Sequence, residues 1–545
     1  MNLAKIDTYI FSVLLFVSAI VLFYIAIFSE VHYTGSESIY HYFHAKAIFK
    51  HPEVMINHWG KPLFILLSAP FAYFGEAGAK IFNVLVMLLS AFFVFKIAKK
   101  LNFRYAFPAV FLVIFSPVYL RFSQSALTEP LFGLVAVIGV YLFMNKRYIT
   151  SAIVISFIIF ARSEGMMFLL LYAFAFVLKK QYKAIPYLLL GFVIYGFLGL
   201  IFNHGFFWYY YDYPYNGAVD LYGKGPFWNY FIQQEHITGT PFSISILFGL
   251  IALIFSKILS FTKSNKNYFI ASIFTFFYCV FLYFFIRNNG MENAFSLPLI
   301  GLAVFFIVII SVLVLLDKKN WVHLIENFIE KIALTILIVL PAIIYVFAHS
   351  YMWYKGIGSA LGLHRIVGAI FPLLAILALF GFNKIVWFLA NIPKIGKITS
   401  ISLLLYFGFV MVKFTYEKSE HIILIQPDDR ETIILETIAY LKDNGLDNRK
   451  MYVYQAHFIS AFNGDHFDGD NSQIVGGIRT PDNPTSCTKI GDIIIWDGHV
   501  SPNEGRLPIE NLENNVNFKE LKMFRPKTEY MVLGGFYYIK IFERI

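Results

Sequence analysis

The sequence predicts an α-helical polytopic membrane protein that ends in a small α/β domain. Three observations predict it. Of 545 residues, 58% are hydrophobic and only 14% charged, with mean hydropathy +0.65; a soluble chain carries charge on about a quarter of its residues. Lys and Arg gather in short runs between apolar segments, and the runs stay in phase along the chain, as cytoplasmic loops do. After about Lys418 the composition changes to that of a soluble domain. The net charge of +10 follows from these loops and calls for no nucleic-acid partner.

The elements follow in order. An apolar run from about Thr8 to Ser29 is long enough to span and has no clear small-residue cleavage site, so it reads as a retained signal anchor. A polar, His-rich stretch runs from Thr34 to Pro62. The next apolar segment, Pro62 to Phe74, is short for a span and reads as a re-entrant or interfacial helix. The second span, Glu76 to Phe95, ends in Lys96, Lys99, Lys100 and Arg104, which mark the cytoplasmic side and put residues 30–61 on the outer face. Further spans are read at Tyr105–Leu120, Leu131–Met144, Tyr148–Phe160, Met166–Leu178, Ala184–Phe202, Pro241–Phe255, Tyr268–Ile286, Ala294–Leu316, Ile332–His349, Val367–Phe382 and Ile398–Phe414. That is about thirteen spans, which places the N-terminus inside and the C-terminus outside. The division is a membrane domain, 1–418, and an outer α/β domain, 419–545. In the latter, Asp428–Leu446 is an amphipathic helix with acidic residues in its first turn and Gly445 near its end. Met451–Tyr454, Asp492–Trp496 and Phe536–Phe542 read as strands. Cys279 falls in an apolar span and Cys487 in the outer domain, so a disulfide between them is not expected.

The first outer loop holds the densest set of chemistry-bearing residues. As a helix from Glu37, it sets Glu37, Tyr40, His41 and His44 on one face, with Ile39, Phe43 and Ala47 opposite. Glu37 also fits a capping box with Thr34. His41 and His44, with Glu37, form a candidate divalent-metal set, the alternative being hydrogen-bonded interface histidines. His58 and Lys61 are placed to bind phosphate or to snorkel at headgroup level.

Elsewhere Glu129, Arg162 and Glu164 sit at outer ends of spans, as a site or as ion pairs of Arg162 with Glu164 and of arginine with Glu129. Arg287 and Glu292 bracket an outer turn. Arg365, after His364, runs against the cytoplasmic bias of arginine and suits a phosphate or a lipid headgroup. The aromatic loop Phe206–Tyr215 suits sugar stacking or an interfacial belt. Asp465, Asp468 and Asp470 have a calcium-loop spacing without the length or terminal Glu of an EF-hand, and read as a polar turn. Walker A, GxGxxG, GxSxG and HExxH signatures are absent from the sequence, which argues against ATP-driven transport and the familiar hydrolases.

The arrangement resembles the GT-C integral membrane glycosyltransferases, nearest to the aminoarabinose transferase of lipid A and the protein O-mannosyltransferase group. GSESIYHYFHAKAIF resembles their acidic loop-one motif. HWGKPLFILLSAPFAYFGEAGAKIFNVL is similar to their Lys-Pro-Pro-Leu segment, and LTEP, ARSEG and GLHRIVGAIFP resemble later motifs. The likeness covers Met1 to Phe414. It departs from the family at Ser36-Glu37, where Asp-Glu is usual, and at Leu63, where a second Pro stands. The resemblance implies a GT-C-like fold and transfer of a sugar from a polyprenyl-phosphate donor to an acceptor hydroxyl on a glycan, lipid or protein at the outer face. Glu37 would be the general base. Tyr40, His41, His58, Lys61, Glu129, Arg162, Glu164 and Arg365 would bind substrate and phosphate. A divalent metal at His41 and His44 is the cofactor the sequence leaves open. The outer side is a periplasm or an organelle lumen; without clear eukaryotic sorting features, the expected setting is a bacterial inner membrane with the C-terminal domain in the periplasm. A transporter or flippase, or a non-catalytic binder of a lipid-linked sugar, is the alternative. Polar residues gathered on one side, without two related halves, favour an outer-face active site over a transport path.

Overall fold

The computed structural model describes residues 3–29, 35–214, 223–259, 321–358, 361–390, 396–418, 427–469, 472–529, 531–532 and 535–545. The spans expected at Tyr268–Ile286 and Ala294–Leu316, Cys279, the Arg287–Glu292 turn, Thr34, Tyr215 and Asp470 lie outside these residues. The structure is mostly helical, at 67%, with a small C-terminal sheet region.

Among the described residues five helices are long and apolar enough to cross a membrane: Ala4–Phe28, Glu76–Lys100, Tyr182–Ile201, Ile332–Lys355 and His364–Ala390. A sixth span results if Pro117–Gln124 and Glu129–Met144, bent by 114° at their junction, are taken together. Other apolar segments form shorter helices, Pro62–Ala72, Tyr148–Ala161 and Ser163–Leu178. At about 1.5 Å per residue such helices fall short of the bilayer core.

The chain divides by contacts into two compact units. The first comprises Met1–Phe23, Asn83–Ser123 and Thr128–Glu420. At its start α1, Leu3–Phe28, is fixed by Asp7, whose Oδ1 accepts the Ala106 and Phe107 amides at 3.0 and 3.1 Å and whose Oδ2 meets Lys99 at 3.1 Å. Two helices of this unit, Thr240–Leu259 and Phe371–Ala390, cross closely. A Cβ on Gly249 would stand 2.5 Å from the Leu377 carbonyl oxygen, and one on Gly381 2.0 Å from that of Ser245. Small residues let apolar helices approach where no water is released to drive them together.

The second unit comprises Tyr24–Phe82, Gln124–Leu127 and His421–Ile545. Two short helices, α2 at Ser36–Ala47 and α3 at Pro62–Ala72, precede α4, Glu76–Lys100, which has Glu76 in its first turn and Lys99 and Lys100 in its last, matching the helix dipole. Among its described residues the C-terminal part has seven strands: β1 Met451–Val453, β2 Ile474–Gly476, β3 Ile493–Asp497, β4 Phe518–Phe524, β5 Met531–Val532, β6 Gly535–Phe536 and β7 Ile539–Arg544. The main sheet runs β2-β1-β3-β7-β4, parallel through its first three strands and antiparallel thereafter, while β5 and β6 form a separate pair. Ile493, Ile494 and Ile495 are fully buried, as a central strand covered on both faces requires. The helix Asp429–Asp443 is capped by Asp428, whose side chain accepts the Glu431 amide at 2.8 Å. It reproduces the amphipathic helix expected there.

Candidate functional site

The residues selected from sequence fall into two groups, one in each unit.

In the second unit, α2 starts at Ser36 with Gly35 as its N-cap at φ 56°. Glycine has no side chain to cap with, so the expected capping box is not built from the N-cap position. Glu37 is half-buried in the first turn. The helix is enclosed more fully than a one-sided amphipathic reading suggests, because His41 and His44 are as buried as Ile39 and Phe43. His41 stacks on Trp59, ring centroids 4.8 Å apart at 15°, and meets the edge of Phe64. The His44 Nδ1 lies 2.7 Å from the Tyr40 carbonyl oxygen. A carbonyl only accepts, so Nδ1 carries the proton and Nε2 the lone pair. The His44 ring is also flanked by Trp59, His466 and Phe467. Burial pushes its pKa down to about 4, helped by His466 and opposed by the Tyr40 carbonyl. Gly60 makes room for it, since a Cβ there would stand 2.7 Å from His44 Cδ2.

Burial, followed by the negative charges of Glu504 and Asp497, pushes the Tyr40 phenol up, so it remains a neutral donor. Its hydroxyl donates to the Tyr454 carbonyl at 3.2 Å. His58 is pushed down to about 3 by burial and by the Lys61 charge. Lys61 is buried at 6% exposure and donates to the His58 carbonyl at 3.3 Å. It caps the N-terminus of α3 at φ 62°, a left-handed conformation that costs a non-glycine residue about 1 kcal/mol. The N-terminus of α3, with its partial positive charge, and the Lys61 side chain thus belong to one short stretch of chain.

The placement of α2 has a clear origin in the sheet. Chain connections diverge at β1 and β3, and open α/β sheets bind ligands outside the carboxyl ends of strands at such a switch point. Here Gln455 follows β1, and its Nε2 donates to Oδ1 of Asp497 at the end of β3 at 3.1 Å. Ser36 of α2 donates to Gln455 Oε1 at 2.5 Å and accepts the Ala456 amide at 3.3 Å. The helix bearing Glu37 thus occupies the position a ligand takes in such folds. Sequence reading missed Gln455 and Asp497, which lie more than 400 residues from α2.

In the first unit, Glu129, Arg162, Glu164 and Arg365 do come together. Glu129 opens the helix Glu129–Met144 at the 114° bend and is 0% exposed. Its Oε1 receives Arg365 Nη1 at 2.7 Å and Arg162 Nη1 at 2.9 Å. Arg162 also holds Glu164 Oε1 from Nη2 at 3.0 Å and from Nε at 3.3 Å. Two residues not selected from sequence complete the group: His349 Nε2 at 3.2 Å and the Tyr345 hydroxyl at 3.4 Å from Glu164 Oε1. Tyr230 lies close enough to both guanidinia for their charge to oppose the burial that raises its pKa. His349 stands at the end of an apolar span, in FAHSYMWY, and that position was the available signal. The ion pairs considered for Arg162, Glu164 and Glu129 are present.

The aromatic loop divides. Trp208 is buried and donates to the Tyr195 carbonyl at 2.8 Å, and Tyr209 donates to that of Ile159 at 2.6 Å, while Tyr210 and Tyr211 are exposed. Among the described residues, the group of three metal-type side chains that converge is His51, Asp465 and Asp468, and it includes neither His41 nor His44. No family model matches this chain, and no curated protein matches it.

Proposed function

We propose that this chain is a membrane glycosyltransferase of GT-C type that moves a sugar from a polyprenyl-phosphate donor to an acceptor hydroxyl. In this reading Glu37 takes the acceptor proton as the oxygen bonds to the anomeric carbon, and the sugar–phosphate bond breaks to release polyprenyl phosphate. The leaving group needs positive charge rather than a proton. The single observation that supports the reading best is the pairing of α2 with α3. The helix bearing Glu37 packs, through His41 on Trp59 and Phe64, against the helix capped by buried Lys61. A half-buried carboxylate and a buried cation at a helix N-terminus are the two charges such a transfer requires. Within the first unit, Arg162 and Arg365 carry less net charge than two guanidinia would alone, because both share Glu129. The fuller topology proposed is about thirteen spans in a bacterial inner membrane, N-terminus cytoplasmic and C-terminal domain periplasmic. Glycan, lipid and protein hydroxyls remain the acceptor classes.

The test uses purified chain and a panel of polyprenyl-phosphate sugars, with release of polyprenyl phosphate as readout. Glu37→Gln is expected to lower turnover by about 10²–10⁴-fold with the fold intact. Binding of the lipid without sugar release, in native protein supplied with cell-extract acceptors, would replace this reading with a flippase or a non-catalytic binder.

A further inference from the structure

We propose that His51, Asp465 and Asp468 form a divalent-metal site of zinc type, with Lys50 as an exchangeable resident cation. The site goes beyond the transfer reaction and uses none of its residues. His51 follows α2, and the two aspartates come from a turn more than 400 residues later, all within the second unit. His51 Nε2 stands 3.4 Å from Asp465 Oδ2 and 3.5 Å from Asp468 Oδ1. Ligands held at about 2.0–2.2 Å by a tetrahedral zinc lie about 3.3–3.6 Å from one another. Calcium wants six to eight oxygens at longer range, so an imidazole among so few donors disfavours it.

A second observation points the same way. The other ring nitrogen, Nδ1, faces Glu53 Oε1 at 3.6 Å. A carboxylate behind the distal nitrogen is the arrangement that orients metal-bound histidines and raises their basicity. Asp465 is set likewise: its Oδ1 accepts the Phe467 amide at 2.9 Å, which turns Oδ2 toward His51. Lys50 Nζ bonds Asp465 Oδ2 at 2.8 Å and Asp468 Oδ2 at 2.6 Å, so a cation already bridges both carboxylates. Its side chain is 60% exposed and free to swing into solvent. Asp468 Oδ1, on the His51 side, is not the oxygen that Lys50 uses. A bound metal would join the segment after α2 to the C-terminal turn.

The experiment is titration of chelator-stripped full chain in detergent with Zn²⁺ by calorimetry, with the visible spectrum of bound Co²⁺ as a second readout. One saturable site with a tetrahedral Co²⁺ spectrum is expected. His51→Ala and Asp465→Asn should each weaken it at least tenfold, and Lys50→Met should tighten it. The opposite sign for Lys50→Met guards against loss of binding through misfolding. Absence of saturable binding in native protein overturns the site. So does binding that survives His51→Ala, or that is lost in His44→Ala while His51→Ala retains it.

Discussion

The two buried polar groups answer the same low dielectric in opposite ways. In the first unit the charges are kept: two guanidinia converge on one oxygen of Glu129, and Glu164 collects Arg162, Tyr345 and His349. In the second unit the groups surrender charge. His44 and His58 are held neutral well below their usual range, and Tyr40 well above its own. Buried charges survive only when an opposite charge faces them, and an imidazole buried away from carboxylates gives up its proton. The ionic group therefore serves best as a framework joining the bend at Glu129 to the segment of Arg365. The neutral group surrounds a half-buried carboxylate with uncharged imidazoles and a phenol, a setting that suits proton transfer.

The sharpest way to break this contrast is Glu129→Gln. The substitution keeps the shape and removes the charge that two buried arginines share. Removing one partner of a buried pair costs about 3–5 kcal/mol, most of it from stranding the charge left behind. The thermal midpoint of the purified chain in detergent should fall accordingly. A Glu129→Gln chain that unfolds at the native temperature would show that other groups neutralise Arg162 and Arg365, and the framework role would go.

A pH series sharpens the other side. The His44 value is depressed in the folded chain, from about 6.5 to about 4. Between those values the unfolded chain binds the proton more readily, so stability rises with pH across the window and levels off above it. The full shift corresponds to roughly 3 kcal/mol lost as pH falls from 7 to 4. Unfolding midpoints measured over that range should slope in the native chain and slope less steeply in His44→Phe, the remaining slope coming in part from His58, which is held at about 3. Equal slopes in the two chains would mean that His44 is not held neutral by burial.

How far all this could be read from sequence depends on the range of the interaction. Apolar run length gave Leu3–Phe28 and Glu76–Lys100, because hydropathy and terminal Lys99 and Lys100 are local properties. The capped helix Asp429–Asp443 was legible for the same reason. Three strands, β2, β4 and β5, were not, and the single strand expected at Phe536–Phe542 divides into β6 and β7. β2 has three residues, the last of them Gly476, with Gly477 directly after it. β4 is an edge strand whose exposed Lys519, Glu520 and Lys522 look like a surface loop. In the site, the shared face of Glu37, Tyr40, His41 and His44 follows from helical spacing. What meets that face does not: Tyr40 reaches Tyr454, and Ser36 reaches Gln455. Arg365 likewise finds Glu129 across 236 residues. Periodicity carries no information on such pairings.

Gly60→Ala tests the space made for the neutral group. The added Cβ would press on His44 Cδ2 at 2.7 Å and Ile65 Cδ1 at 2.8 Å. Overpacking of this kind costs about 1–3 kcal/mol. The ring must tilt, so the fluorescence of Trp59, which packs against both His41 and His44, should change with it. An unchanged midpoint and spectrum would show that His44 does not fill the space above Gly60.

The smallest expected effect is the most specific. Tyr40→Phe keeps the ring beside His466 and Trp59 and removes only the hydroxyl that donates to Tyr454. A single hydrogen bond of this kind contributes about 1 kcal/mol net. Its loss leaves the Tyr454 carbonyl short of one donor at the carboxyl end of β1, where Ser36 and Gln455 still hold α2 in place. A shift of a few degrees in the thermal midpoint is therefore expected, with turnover reduced less than by Glu37→Gln. If Tyr40→Phe abolished turnover while leaving the midpoint unchanged, the phenol would be acting on substrate rather than anchoring the helix. The neutral group would then contain a second reacting residue, held in its proton-bearing form by the same burial that keeps His44 in its proton-poor one.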